Sequence, residues 1–582
     1  MSSVPIIEFK DFTYTYRTQA GPTLKNISFS IRKGEKVLIV GASGSGKSTI
    51  AKCINALIPS TFPGKIEGSL TVNGLNPAAE GIFNMSKQVG TVLQDTDGQF
   101  IGLTVAEDIA FALENDQIPQ EEMRRKVMEA ARTVSVEQLL GSVPGALSGG
   151  QKQRVSLAGI LVDDVEIFLF DEPLANLDPA AGKKIIELID QLNRDKGKTV
   201  IIIEHRLEDV LYRHVDRIIL VEKGEIAADM TVNQLLCSDL LPQKGIREPL
   251  YISALKYAGC TLKAEDGPED IATMNMAPYK SALQSWFQKI EPQAERAETA
   301  PALEVKDLCF RYDKNLPYVV ENVSFKIQKG EMVSIVGTNG AGKSTTASLI
   351  CGFNQQESGE IFLDGEEISS WSIKQRGEKI GFVLQNQNQM ISKTMIWDEV
   401  ALGLAVRKVP KDEIKERVTR ALKICGIYPY RNWPVSAVSF GQKKRVTIAS
   451  ILVMNPELLI LDEPTAGQDW AHYTEIMEFL RTLNKELGIT ILMITHDMHL
   501  MLEYTDRAIV ISGGQVIADG KSSAILTDEK ITEAASLKRT SLYDLAVKCG
   551  IESPGQLADR FIHYERKMRE AAGAQDMGKV NG

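Results

Sequence analysis

An internal repeat constrains the fold of this chain more than any other feature of its sequence. The segment GASGSGKST at 41–49 returns as GTNGAGKST at 337–345, and LFDEP at 169–173 returns as ILDEP at 460–464. The second pair is separated by 291 positions, and three further landmarks share that offset. A constant offset over so long a span predicts a duplicated domain, which the length of 582 residues can accommodate.

Each copy has the pattern of an α/β domain. Glu35–Val40 and Met332–Val336 are short apolar runs that lead into glycine loops, and helices are expected after the loops. The apolar runs Ile167–Phe170 and Val200–Ile203 fit strands that are buried on both faces of a parallel sheet. We therefore expect two α/β domains in tandem, each followed by a small C-terminal appendage.

The chain between and after the copies has a different character. Residues 231–263 look helical, whereas 264–301 are rich in Glu, Asp, Pro and Ala and are expected to form a linker. The predicted division is a first domain at 1–230, a second domain at 302–520, and a C-terminal appendage with a polar tail at 521–582.

Composition excludes several classes of protein. The net charge of −10 argues against a nucleic-acid partner, and the seven scattered cysteines indicate a reducing compartment rather than a disulfide framework. No apolar run approaches the ~18 residues that a membrane span requires. We expect a cytoplasmic protein that serves a membrane process only through a partner.

Both copies carry a phosphate-binding loop. Glycines let backbone amides turn toward phosphate, the lysine reaches the β- and γ-phosphates, and the following serine supplies a hydroxyl to Mg²⁺. One such match after a strand is already specific, and two at repeat spacing make a mere surface turn untenable. The predicted nucleotide-binding residues are Gly41, Ala42, Ser43, Gly44, Ser45, Gly46, Lys47, Ser48 and Thr49, with Gly337, Thr338, Asn339, Gly340, Ala341, Gly342, Lys343, Ser344 and Thr345.

Paired carboxylates end one apolar strand in each copy. Asp171 and Asp462 are placed to hold Mg²⁺, and Glu172 and Glu463 follow them directly. The glutamates can orient or deprotonate an attacking water. Alone, such a pair would more often be an exposed strand end, but the phosphate loops upstream favour catalysis.

A histidine ends a further apolar strand in each copy. A single histidine is usually structural, yet His205 and His496 share the repeat offset and the same strand-end position. They are predicted to sense the γ-phosphate and to assist catalysis.

The segment Leu147-Ser148-Gly149-Gly150-Gln151 resembles the signature of ABC ATPases. The resemblance implies two P-loop NTPase ABC nucleotide-binding domains that hydrolyse ATP with Mg²⁺ and pair with each other, each signature contacting the γ-phosphate held opposite. It also implies Mg²⁺-contacting glutamines, interface-crossing aspartates and adenine-stacking tyrosines. The signature residues are Ser148, Gly150, Ser439 and Gly441, the glutamines are Gln94 and Gln385, the aspartates are Asp178 and Asp469, and the tyrosines are Tyr16 and Tyr312.

Two longer segments indicate which kind of ABC ATPase the chain resembles. QDTDGQFIGLTVAEDIAFALEN at 94–115 is similar to cassettes of energy-coupling-factor vitamin importers, and SFGQKKRVTIASIL at 439–452 is similar to fused ATPases of hydroxymethylpyrimidine or thiamine uptake. This implies a peripheral protein at the cytoplasmic face of the membrane, an integral membrane coupling protein, and a membrane substrate-binding protein. A sugar-importer ATPase and a ribosome-acting tandem protein are the alternatives. Residues 231–300 hold nine acidic and seven basic side chains, which disfavours the ribosomal alternative.

The second signature departs from the first. It reads Val438-Ser439-Phe440-Gly441-Gln442, with phenylalanine in place of a glycine. If that position requires a backbone angle only glycine adopts, or a close approach to the nucleotide, Phe440 weakens one ATP site. If the side chain turns away, the phenylalanine is harmless.

Overall fold

The computed structural model describes residues 4–94, 97–175, 177–291 and 299–580. The chain forms two compact units: the first comprises 1–286 with 467–471 and 548–550, and the second comprises the rest. Each unit has its own apolar core, built on equivalent strands of the repeat. The duplication expected from the sequence is therefore present as two separately packed domains.

The first cassette combines a large, mostly parallel sheet with a small antiparallel one. Its strands are β1 Ile7–Tyr16, β2 Leu24–Ile31, β3 Lys36–Val40, β4 Gly64–Val72, β5 Val89–Val92, β6 Ile167–Asp171, β7 Thr199–Ile203, β8 Arg217–Glu222 and β9 Glu225–Met230. Its helices are α1 Lys47–Ile54, α2 Leu57–Ser60, α3 Pro77–Ser86, α4 Val105–Asn115, α5 Gln120–Thr133, α6 Gly149–Leu161, α7 Pro179–Arg194 and α8 Leu207–Val210. The larger sheet has the order β5-β6-β7-β3-β8-β9, and only β9 is antiparallel.

That strand order positions the site. Strands β3, β6 and β7 are adjacent, parallel and buried along their whole length. Their carboxyl ends therefore meet at one edge of the sheet, where α/β proteins bind ligands.

The region after the first cassette contains α9 Val232–Cys237, α10 Leu240–Gln243, α11 Leu250–Tyr257 and α12 Lys280–Lys289. Part of the expected linker is folded: the Tyr279 hydroxyl donates to Asp266 at 2.5 Å, and Leu283 and Trp286 are buried. Tyr279, Leu283 and Trp286 have helical spacing, which the acidic, proline-containing composition of the segment concealed. Residues 292–298 of the predicted linker lie outside the described residues.

The second cassette repeats the arrangement, and its first strand begins at Pro301, one residue before the predicted start of the domain. Its strands are β10 Pro301–Phe310, β11 Val320–Gln328, β12 Met332–Val336, β13 Ser358–Leu363, β14 Glu366–Glu367, β15 Ile380–Val383, β16 Leu458–Asp462, β17 Thr490–Ile494, β18 Arg507–Ser512 and β19 Gln515–Gly520. Its helices are α13 Lys343–Cys351, α14 Ile373–Lys379, α15 Ile396–Val406, α16 Lys411–Ile424, α17 Phe440–Leu452, α18 Trp470–Leu487 and α19 Met498–Tyr504. The order β15-β16-β17-β12-β18-β19 matches that of the first cassette strand for strand.

The C-terminal appendage is helical, with α20 Ser522–Ile525, α21 Glu529–Ala534, α22 Ser541–Cys549 and α23 Pro554–Val580. Within the described part of the chain, no helix is both long and apolar enough to cross a bilayer.

Candidate functional site

The two phosphate loops connect a buried strand to a helix, as the sequence predicts: β3 to α1 and β12 to α13. The ammonium group of Lys47 is buried and donates to the carbonyl oxygens of Gly41 (2.7 Å) and Ala42 (3.0 Å). Lys343 makes the same two bonds to its own loop, at 2.9 and 2.8 Å. Burial lowers the pKa of Lys47, while the nearby Glu172 carboxylate opposes that effect.

Glycine is required where each loop enters its helix. Gly46 and Gly342 precede α1 and α13 with φ of 109° and 99°, a region that side chains rarely adopt. A Cβ on Gly342 would lie only 2.5 Å from the carbonyl oxygen of Val319. The helix N-termini are thereby held open to an anion.

The serine and aspartate predicted to hold Mg²⁺ lie together in both cassettes. The Ser48 hydroxyl is 3.2 Å from Asp171 Oδ1, and the Ser344 hydroxyl is 3.5 Å from Asp462 Oδ1. Burial raises the pKa of Asp462 to about 6, with a further contribution from Glu463. Burial also raises the pKa of Asp171. These oxygens form a compact acidic group beside each phosphate loop.

Both predicted catalytic glutamates have left-handed backbone conformations. Glu172 has φ of 52° and Glu463 has φ of 46°, and their N–H groups donate to Ile203 (2.8 Å) and Ile494 (2.9 Å). The neighbouring strand thus fixes the glutamate at the strand end. No sequence signal marked this feature, because an isolated glutamate does not favour positive φ.

In the first cassette the glutamate is bonded to the predicted glutamine. Gln94 Nε2 donates to Glu172 Oε2 at 2.6 Å, while His205 Nδ1 is 3.9 Å from Glu172 Oε1. A second carboxylate, Glu204, is fully buried beside them. Burial raises the pKa of Glu172 to about 7, with Glu204 and Asp171 adding to the effect.

In the second cassette the glutamate is bonded to the histidine instead. His496 Nδ1 lies 2.7 Å from Glu463 Oε1, and the predicted Gln385 is exposed. Lys444 is buried on α17 and donates to the carbonyl oxygen of Pro464 at 2.5 Å. Burial lowers the pKa of Lys444 to about 8, although Glu463 and Asp462 favour its charged form. Sequence reasoning missed both Glu204 and Lys444.

The signature residues begin a helix in each cassette. Ser148 and Ser439 are the N-caps of α6 and α17, and each accepts the N–H of the glutamine three positions later at 3.3 Å. The spacing Ser-x-x-Gln is a capping box, so the motif fixes its own helix start. Gly150 is tightly placed, since a Cβ there would meet the Ala181 side chain at 3.0 Å.

Phe440 occupies the first turn of α17 without a glycine-like backbone angle. Its side chain is 49% exposed, so it does not turn into the core of its domain. Its carbonyl oxygen accepts a bond from Gln387 Nε2 at 3.4 Å. Of the two reasons for which Phe440 would weaken the site, the structure excludes the requirement for a special backbone angle.

The remaining predicted residues lie beside a phosphate loop or at the start of a helix. The hydroxyls of Tyr16 and Tyr312 each lie 3.2 Å from the last threonine of the adjacent phosphate loop. Asp178 caps α7 by accepting the N–H of Ala181 at 2.9 Å, and Asp469 is buried just before α18.

Comparison with known proteins agrees with this geometry. A family model described as "ABC transporter" matches residues 24–175 and 320–466, and one described as "ATP-binding cassette cobalt transporter" matches 238–310. A protein of Clostridium perfringens named as an ABC transporter ATP-binding protein is 58% identical over 98% of this chain and 100% of its own. One of Enterococcus faecalis is 55% identical over 97% of this chain and 99% of its own.

The chain belongs to the ABC transporter ATP-binding proteins. The predicted fold class is confirmed, because two ABC domains lie in tandem. The protein is a transport-coupled ATPase, as expected from its phosphate loops and signature. The solved cbiO1 of Clostridium perfringens, part of the ABC transporter complex cbiONQ, is 36% identical over 42% of this chain and 99% of its own, with a TM-score of 0.38.

Proposed function

We propose that this ATPase powers import of a small substrate through separate membrane proteins, as a peripheral subunit at the cytoplasmic face of the membrane. The bond from Gln94 to Glu172 carries the proposal, because it joins the hydrolytic carboxylate to a surface segment. Shortly after Gln94, Ile101 and Leu103 are 65% and 80% exposed. Exposed apolar side chains beside a motor site fit a hydrophobic protein partner.

The roles of the site residues follow from their positions. The loop amides, with Lys47 and Lys343, hold the ATP phosphates, and Glu172 and Glu463 orient the attacking water. His205 and His496 lie near these carboxylates, as γ-phosphate sensors require. Transport is then driven by ATP hydrolysis at this edge of each sheet.

Mg²⁺ suits the donor atoms of both sites. Ser48 with Asp171, and Ser344 with Asp462, offer the hard oxygens that this ion prefers. In the described part of the chain, no group of three His, Cys, Asp or Glu side chains forms a closed metal cage. That fits an ion completed by waters and phosphate oxygens, which neutralises phosphate charge when it is bound.

We further propose that the two cassettes pair within one chain, so that each signature faces the phosphate loop of the other. Each cassette carries both kinds of half-site, which supports this arrangement. With ATP, the Glu172→Gln, Glu463→Gln protein should be a closed monomer by light scattering. A stable ATP-dependent dimer of chains would exclude pairing within the chain.

The cargo we favour is a vitamin or vitamin precursor, on the similarity of 94–115 and 439–452 to such importers. Cobalt is the second candidate, because the family model that matches 238–310 is described as a cobalt transporter. Uptake of labelled hydroxymethylpyrimidine, thiamine and ⁵⁷Co²⁺ by cells that carry the whole complex distinguishes them. Cells with the Glu172→Gln, Glu463→Gln protein are the control.

Purification of the native complex tests the proposal itself. We expect small hydrophobic membrane proteins to accompany the ATPase, and Ile101→Ser with Leu103→Ser to release them while ATP hydrolysis persists. Val4→Ser is the matched control, since Val4 is 84% exposed at the N-terminus. Recovery of ribosomes or DNA without membrane proteins would overturn the proposal.

A further inference from the structure

The two cassettes differ at the residue that precedes the histidine. The first has Glu204 after β7, and the second has Thr495 after β17. Both side chains are fully buried. A buried carboxylate is costly unless hydrogen bonds satisfy it, so Glu204 requires a structural explanation.

Backbone N–H groups from two loops satisfy Glu204. Oε1 accepts from His205 at 2.8 Å and from Arg206 at 3.2 Å, and Oε2 accepts from Leu174 at 3.3 Å. Leu174 lies two residues after Glu172, in the turn that carries the hydrolytic carboxylate. Glu204 therefore ties the end of β7 to the end of β6.

Of the two carboxylates, Glu204 is also the nearer one to the histidine ring. His205 Nδ1 is 3.2 Å from Glu204 Oε1 but 3.9 Å from Glu172 Oε1. In the second cassette, the Thr495 hydroxyl accepts the N–H of Asp497 at 2.9 Å, and His496 is bonded to Glu463. The carboxylate nearest to the histidine ring therefore differs between the two cassettes.

We propose that Glu204 is a positioning residue of the first ATP site. It keeps His205 off Glu172 and anchors the Glu172 turn, so that Glu172 stays bonded to Gln94. Without Glu204, His205 would turn to Glu172 and reproduce the pair that His496 and Glu463 form. The inference rests on the proposed roles of Glu172 and His205.

The test replaces Glu204 by the residue of the other cassette. In a Glu463→Gln background, which isolates the first site, Glu204→Thr should lower kcat for ATP roughly 10-fold, the usual scale for residues that orient a catalytic group. KM for ATP should stay within about twofold, because the phosphate loop is unchanged. Glu204→Gln should retain kcat within about threefold, since its oxygen still accepts the N–H groups of His205 and Arg206.

Two outcomes would overturn the proposal: a kcat of Glu204→Thr within twofold of its parent, or a Glu204→Gln as slow as Glu204→Thr. If Glu204→Thr does not fold, Glu204→Asp replaces it. Its side chain is one methylene shorter, which draws both oxygens away from the N–H groups of His205, Arg206 and Leu174, whereas Glu204→Gln loses only the bond from Leu174. The kcat of Glu204→Asp should therefore fall at least threefold, and an unchanged kcat refutes the role.

Controls separate this inference from the proposed function. Glu248→Gln alters another buried carboxylate of the same unit, bonded to Lys256 outside the ATP site, and should leave kcat unchanged. Glu172→Gln and His205→Ala should abolish turnover in the same background. If these two variants keep their turnover, the proposed catalytic roles of Glu172 and His205 are wrong. If they lose turnover and Glu204→Thr leaves kcat unchanged, only the positioning role of Glu204 is wrong.

Discussion

In the first cassette the proposed hydrolytic glutamate, Glu172, is bonded to Gln94, and in the second its counterpart, Glu463, is bonded to His496. The sheets that carry these residues have the same strand order, and both glutamates have the same left-handed backbone. The difference therefore arises from neighbouring side chains and not from the frame. A duplicated fold can keep its geometry while single buried substitutions change the partners of its catalytic groups.

Each cassette has one buried charged side chain where the other has a neutral one, and the two charges have opposite signs. The first cassette adds a buried carboxylate, Glu204, where the second has Thr495. The second adds a buried ammonium, Lys444, where the first has Gln153. Burial and Glu204 raise the pKa of Glu172, while Lys444 attracts the carboxylates of its own cassette. The two sites should therefore hydrolyse ATP at unequal rates.

Removal of the glutamates should have the largest effect. Glu172→Gln with Glu463→Gln should lower turnover by ~10²-fold or more and leave ATP binding intact, because the carboxylate acts on water and not on the nucleotide. Steady-state phosphate release from the single and double variants compares the two sites directly. Glu225→Gln, on the exposed strand β9, is the control. Normal rates in both single variants would show that these residues are not catalytic.

Removal of the phosphate-loop lysines should weaken the binding of ATP. Lys47→Ala and Lys343→Ala should each weaken ATP at their own site by about 1.5–3 kcal/mol, the scale of a charge-assisted hydrogen bond. Titration with a non-hydrolysable ATP analogue should then show one tight site per chain in place of two. The exposed Lys65→Ala serves as the control, and two undiminished sites in either variant would contradict the assignment.

Lys444→Gln tests the difference in charge. It gives the second cassette the residue that the first has at Gln153, and removes the positive charge beside Glu463. In a Glu172→Gln background we expect turnover to fall about 10-fold with ATP binding retained, as for other residues that support a catalytic group. The neighbouring Lys443→Gln should have no such effect. Equal rates for the two variants would show that the buried lysine only packs.

Substitution of Phe440 should have the smallest effect on ATP turnover. If the cassettes pair, Phe440 faces the nucleotide held by Lys47, and its exposed ring keeps the signature amides at a distance. In a Glu463→Gln background, Phe440→Gly should raise turnover by no more than about threefold, because Ser439 and Gly441 remain available. The reciprocal Gly149→Phe, assayed in a Glu172→Gln background, should lower it. No change in either variant would mean that the phenylalanine is tolerated.

The sequence predicted the frame of this protein well, because repeat spacing and apolar runs are local signals. The strands at Met332–Val336 and Ile167–Phe170 were found to within one residue. The phosphate loops brought Lys47, Ser48 and Asp171 together as expected. Motif and strand position are sufficient for such residues, since parallel strands end at a common edge.

Sequence reasoning failed where a role depends on burial. Glu204 and Lys444 look like ordinary polar residues beside a motif, and only the three-dimensional structure shows them enclosed next to catalytic carboxylates. The helix α12 was missed because acidic and proline-rich flanks masked its apolar spacing.

The left-handed backbone at Glu172 and Glu463 has a consequence for stability. A side-chain-bearing residue pays roughly 1–2 kcal/mol to hold that conformation, and glycine does not. Replacement of either glutamate by glycine should therefore relieve strain in the fold at the same position where it removes the proposed catalytic group. Part of the stability of each cassette is therefore given up at the residue that we propose to be catalytic.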